Sequence, residues 1–154
     1  MIIVSQTVEA SLQVRAATGV DTPFLVNLAC EAYRDVVTRQ FGSWNEGEQA
    51  ARFAAKVARL PFEVGELAGQ PIAAVSSSVH ADHVFLNELL VLPEFQNHGF
   101  GAGLLEREIR RARQRGLPLR LHTLRLNRAV RLFERHGFVM TAREEVFIDL
   151  ERAG

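Results

Sequence analysis

Apolar positions along this chain keep two spacings, one of about two residues and one of about three to four, and these spacings predict its elements. Leu12 to Ala16 alternates apolar and polar residues and predicts a first strand. Asp21-Thr22-Pro23 predicts a helix start, with a capping side chain and a proline in the first turn. Phe24, Leu25, Leu28, Ala29, Ala32, Val36 and Val37 then share one helical face, and Phe41-Gly42 ends the helix. A second helix runs through Ala50, Phe53, Ala54 and Val57 and stops before Pro61. Ser43 with Glu46 and Asn45 with Glu48 both have capping-box spacing at its start.

Phe62 to Leu67 and Ile72 to Val79 read as strands joined at Ala68-Gly69-Gln70-Pro71, and a third strand spans Val84 to Leu92. The next helix buries Leu104, Leu105, Ile109 and Ala112 and ends near Gly116. A strand from Leu117 to Leu124 follows. Asn127 can cap a helix carrying Ala129, Val130, Leu132 and Phe133, with Gly137 as its left-handed end. Phe138 to Leu150 supplies one or two final strands. This order predicts a mixed α/β fold with a central sheet. No repeat or linker breaks it, so residues 1–154 read as one domain, long enough to bury a core.

The stretch from Asn87 to Ala112 carries the first chemical signal. An apolar strand ends at Pro93, Gln96-Asn97-His98-Gly99-Phe100-Gly101 forms a glycine loop, and a helix starts at once. The first turn of a helix has backbone N–H groups without intrahelical acceptors, and its dipole favours an anion there. The loop is not a dinucleotide fingerprint, because position 104 is Leu, and without a lysine it is not a Walker loop.

Charge and composition narrow the picture. The chain has 18 basic and 18 acidic residues, so net charge gives no pull toward nucleic acid or membrane. Arginines nonetheless outnumber acids from Arg107 to Arg135, which leaves a nucleic-acid-binding rival whose mark would be a steep salt dependence. The face carrying Arg107 to Arg115 reads as solvated. Cys30 is the only cysteine, which excludes an internal disulfide and favours a reducing compartment. MIIVSQTVEAS is a poor signal peptide and no apolar run is long enough to span a bilayer, so a cytoplasmic location is expected.

Gln96, Gly99 and Gly101 form Q-x-x-G-x-G after Leu89, Val91 and Pro93. Some thirty residues on, Asn127, Ala129, Leu132, Phe133 and Gly137-Phe138 resemble N-x-x-A-x-x-L-Y-x-x-x-G-F. Together these resemble the acetyl-CoA motifs of the GNAT N-acetyltransferase superfamily, over roughly Val84 to Phe138. The resemblance implies a mostly antiparallel sheet of roughly six to seven strands with about four helices. It implies acetyl-CoA as co-substrate, with its pyrophosphate on the backbone of Gln96, Asn97, His98, Gly99, Phe100, Gly101 and Ala102. The pantetheine arm would lie along Leu90, Val91 and Leu92, and Asn127 would hydrogen-bond it. An amine-bearing small molecule or peptide would be the acceptor, with no metal, and a homodimer is compatible with the pattern.

Acetyl transfer to an amine needs the neutral amine, and hence a proton acceptor. Glu88, a carboxylate among apolar strand residues, is the first candidate; facing solvent or pairing with an arginine is the bland alternative. His83 on the same strand could act through water. The family's usual acid, the Tyr of L-Y, is here Phe133, and the only tyrosine is Tyr33 in the first helix. A non-catalytic acyl-CoA-binding module is therefore the main rival. His80-x-Asp82-His83 reads as a polar turn, Trp44 as a helix-junction residue or a pocket wall, and Cys30 as core.

Overall fold

The structure is a computed structural model describing residues 12–154; the stretch weighed as a signal peptide lies outside them. Among the described residues seven strands make one sheet: β1 (Gln13–Ala16), β2 (Glu63–Leu67), β3 (Gln70–Val79), β4 (Val84–Val91), β5 (Leu119–Leu124), β6 (Val139–Arg143) and β7 (Phe147–Arg152). Their order is β1-β2-β3-β4-β5-β7-β6, with β4 and β5 the one parallel pair. Four helices cover it: α1 (Thr22–Phe41), α2 (Glu46–Arg59), α3 (Phe100–Gln114) and α4 (Ala129–Arg135).

Side-chain alternation divides the core between the two faces of the sheet. On one face Leu25, Leu28 and Phe53 of α1 and α2 pack on Val64, Ala74 and Leu90. On the other Leu104, Leu105 and Ile109 of α3 and Phe133 of α4 pack on Ile72, Val75, Leu86 and Val91. Leu28 is fully buried, and truncating it to Ala would cost about 2–5 kcal/mol.

β4 changes face partway along. Ser76 pairs with Glu88 but Ser77 pairs with Leu86, so Asn87 is an extra residue, a β-bulge. Val84 and Leu86 therefore face α3, whereas Leu90 faces α1. Without the bulge these even-numbered residues would share a face. Asn87 fits there because its amide donates to Ser76 Oγ (3.1 Å) and Ser78 Oγ (2.9 Å). The bulge turns Glu88 toward α1 and α2.

Three local expectations are corrected. Asp21 precedes α1 but makes no capping bond to it; its carboxylate takes two 2.8 Å bonds from Arg15 and one from the Thr18 N–H. A guanidinium fork is the stronger partner for a carboxylate than one helix N–H. At the second helix Asn45, not Ser43, is the cap, accepting from Glu48 N–H at 2.9 Å. The face carrying Arg107 and Arg111 is not simply solvated: both arginines bond Glu63 of β2 and the buried Glu108 beside them. Among the described residues no helix is long and apolar enough to cross a membrane.

Candidate active site

β4 and β5 pair only through Val84–Leu119, Phe85–Arg120 and Leu86–Leu121. Past the bulge they part, β4 staying on β3 as far as Val91 and β5 on β7 as far as Leu124. A wedge opens between them. The Leu92 N–H donates to Ile72 O on β3 (2.9 Å), and successive residues of a strand point their N–H groups to opposite sides. The N–H groups of Leu89 and Val91 therefore point into the wedge, where no strand among the described residues meets them. The Val91 carbonyl on that side is already taken, by the Gln96 side-chain amide at 2.9 Å.

A 3-10 turn at Pro93–Phe95 leads from β4 into the glycine loop. Asn97 (φ 63°) and Gly99 (φ 87°) are both left-handed, which turns successive N–H groups inward, and no side chain caps α3. Gly99 is needed for its backbone angle. Gly101 is not: a Cβ there would make ordinary contacts, 3.7 Å from Leu132 and 3.9 Å from Val91. The space above Gly101 belongs to whatever occupies the wedge.

A cleft of about 630 Å³ runs from this loop past the wedge to α1. Of the residues singled out from sequence, Leu90, Val91, Gln96, Asn97, Gly99, Gly101, Ala102 and Asn127 line it. Leu92, His98 and Phe100 do not; His98 instead bonds Gln96 O at 2.8 Å. Asn127 spends its amide on Thr123 Oγ1 and its carbonyl on the Ala129 N–H, both at 2.9 Å. It thus caps α4 from one residue further out than expected, because the helix itself begins at Ala129. Aligned on Ala129 and Gly137, the family's Asn falls on Leu126, so the spacing here is one residue shorter.

Phe133 is also outside the cleft. It is buried in the core, edge-on to Phe138 at 5.6 Å, and its neighbour Leu132 lines the cavity instead. Sequence reading missed the cleft's charged rim. Glu31 and Asp35 of α1 stand one helical turn apart on one side, and Arg128, Arg131 and Arg135 on the other. Asp35 bonds Arg39 (2.9 Å) and lies 3.7 Å from Arg128, joining the two sides. The i, i+4 spacing of Glu31 and Asp35 could have shown a shared face, but not which face meets the cleft.

Glu88 is 5% exposed, on the α1 face. Tyr33 donates its hydroxyl to Glu88 Oε2 at 2.7 Å, and Lys56 pairs with Oε1. Neither solvent nor an arginine is its partner. Burial, then the charge and hydrogen bond of Glu88, push the Tyr33 hydroxyl well above its ordinary value. Tyr33 lines the cleft, whereas Glu88 and Lys56 stand behind it. His83 bonds Asp82 and stacks on His80; among the described residues no cluster of ligand side chains could hold a metal ion. Trp44 donates to Glu46 with Arg34 over its ring, and Cys30 is buried, its thiol pushed up by burial.

A mixed sheet split at its parallel pair, with a glycine loop opening a helix beside the split, defines a class of CoA-dependent acyltransferases. The Acetyltransferase (GNAT) family model matches residues 24–138, and the chain belongs to that family. It is an acetyltransferase with acetyl-CoA as co-substrate. Solved structures show the same fold. A PaiA N-acetyltransferase from Thermoplasma acidophilum in complex with coenzyme A is 17% identical, covering 94% of this chain and 99% of that one, with a TM-score of 0.76. A GCN5-related N-acetyltransferase from Rhodopseudomonas palustris is 18% identical, covering 94% and 96%, also at 0.76. The ribosomal-protein-S18-alanine N-acetyltransferase of Escherichia coli is 21% identical, covering 92% and 93%, at 0.68. A sequence search of curated proteins finds no match.

Proposed function

We propose that this protein transfers acetyl from acetyl-CoA directly to a primary amine on a small molecule or peptide, and that the whole chain serves as one such domain in the cytoplasm. The observation that carries the reading is the wedge: unpaired Leu89 and Val91 N–H groups beside an uncapped helix N-terminus. The loop from Gln96 to Ala102 takes the pyrophosphate, and the pantetheine arm lies along Leu90 to Leu92 like an added strand. The Val91 N–H then polarises the thioester carbonyl and holds the tetrahedral oxyanion, a donor worth about 3–4 kcal/mol of barrier in comparable sites.

Glu88 takes the amine's proton. With Phe133 in the core no side-chain acid replaces the family tyrosine. The thiolate leaves unassisted, which a thiol of pKa about 8.5 permits. No covalent enzyme intermediate is involved, since Cys30 is buried with its thiol pushed up.

Free-thiol release from acetyl-CoA, followed across a panel of polyamines, amino acids and peptide N-termini, tests this. Amine-dependent release supports transfer. CoA binding without release from any amine supports the rival binding module, which the doubly bonded Glu88 carboxylate favours.

A further inference from the structure

Glu88 has no place on the cleft wall, and among the described residues its link to that wall is Tyr33. We propose that Tyr33 is the group that meets the acceptor amine and passes its proton to Glu88, whose other oxygen is held by Lys56. The proposal rests on the acetyl-transfer reading and names the path by which its base is reached.

Three elements converge to build the relay. The bulge at Asn87 turns Glu88 to the α1 face. Tyr33 of α1 is fixed by stacking on Phe53 of α2 at 5.2 Å and reaches Glu88 Oε2 at 2.7 Å. Lys56, the chain's only lysine, comes from the same helix as Phe53 and holds Oε1. The charges that act on Tyr33 are Glu88 on β4 and Arg52 on α2, with Lys56 on the far oxygen of Glu88; β3 sets neutral Ser76 opposite Glu88.

The acceptor enters the step as the neutral amine, its ammonium proton already lost to water, and its lone pair forms the C–N bond at the thioester carbonyl. The amine's proton moves to Tyr33 Oη as the Tyr33 hydroxyl proton moves to Glu88 Oε2, so Tyr33 stays neutral throughout. The C–S bond then breaks with its electron pair on sulfur, and the thiolate takes a proton from water. After release, Glu88 returns its proton through Tyr33 to water in the cleft.

Two measurements test the relay, and the first needs no acceptor. Tyr33 is the only tyrosine, so ultraviolet absorbance of tyrosinate against pH reports it alone. The relay predicts ionisation well above the ordinary tyrosine range, moved back toward that range in Glu88→Gln. Ionisation in the ordinary range, or no movement in Glu88→Gln, overturns the coupling.

The second is a cycle of Tyr33→Phe, Glu88→Gln and the double variant in the thiol-release assay. Tyr33→Phe keeps the ring and its stack. Tyr33→Phe should lower turnover about tenfold or more and Glu88→Gln about a hundredfold or more, both at unchanged CoA affinity and with a flattened pH profile, and the double variant should lose no more than the worse single. Turnover of Tyr33→Phe within about twofold of the parent, or multiplying losses, overturns the relay. No amine-dependent release by the parent protein overturns the transfer reading itself, while the absorbance titration still decides the Tyr33–Glu88 coupling.

Discussion

Glu88 and Glu108 are the two buried glutamates among the described residues, and they lie on opposite faces of the sheet. Glu108 is 1% exposed, takes the Ser77 hydroxyl at 2.7 Å and two arginines, and touches no part of the cleft. Glu88 is 5% exposed with one cation and one hydroxyl, and that hydroxyl belongs to a residue of the cleft wall. Burial and pairing are alike. What separates a structural carboxylate from a chemical one is the connection to the cavity, and a single bulge residue sets it.

The largest expected effect breaks the comparison open. Glu88→Gln should lower turnover by about a hundredfold or more, as loss of a general base does, with CoA affinity spared. Glu108→Gln should keep turnover within a few-fold yet lose about 1–3 kcal/mol of stability in chemical denaturation, because a buried acceptor of Ser77 and two arginines is weakened. Equal kinetic losses in the two variants would erase the distinction.

On the donor side, Gly101→Val should weaken CoA binding by about thirtyfold or more in a titration, roughly 2 kcal/mol. Its fold should survive, since a Cβ there finds only ordinary contacts. Unchanged affinity would remove CoA from the loop. A smaller effect concerns Phe133→Tyr. A hydroxyl placed in that core should cost about 1–3 kcal/mol of stability without raising turnover, and a clear rise would mean the ring reaches the thiol after all.

The mildest effect is on stability in acid. Arg15 holds the Asp21 carboxyl well below the usual carboxylate range, and Arg107 lowers that of Glu63. A carboxyl whose folded value lies below its unfolded one stabilises above that unfolded value and loses this as pH falls. Unfolding free energy should therefore decline below about pH 4, and Asp21→Asn should flatten the decline.

The element order and the Q-x-x-G-x-G loop were legible because strand and helix spacings and glycine chemistry are local. The Glu88 environment was not. Its face depends on the unpaired Asn87, and its partners come from Tyr33 and Lys56, dozens of residues away on other elements. Phe133 stands at the family's tyrosine position by motif, but helix rotation presents Leu132 to the cleft, which a spacing alone cannot show. The charged rim was hidden for the same reason: residues 31, 35, 128, 131 and 135 meet only when α1 and α4 face each other across the wedge.

Acetyl transfer by this protein depends on CoA lying in the wedge. Amide hydrogen exchange with and without CoA reads that directly. CoA in the wedge should slow exchange at Leu89, Val91 and the loop from Gln96 to Ala102, with Glu108 and its neighbours unchanged. Protection elsewhere, with Leu89 and Val91 exchanging as fast as before, would contradict it.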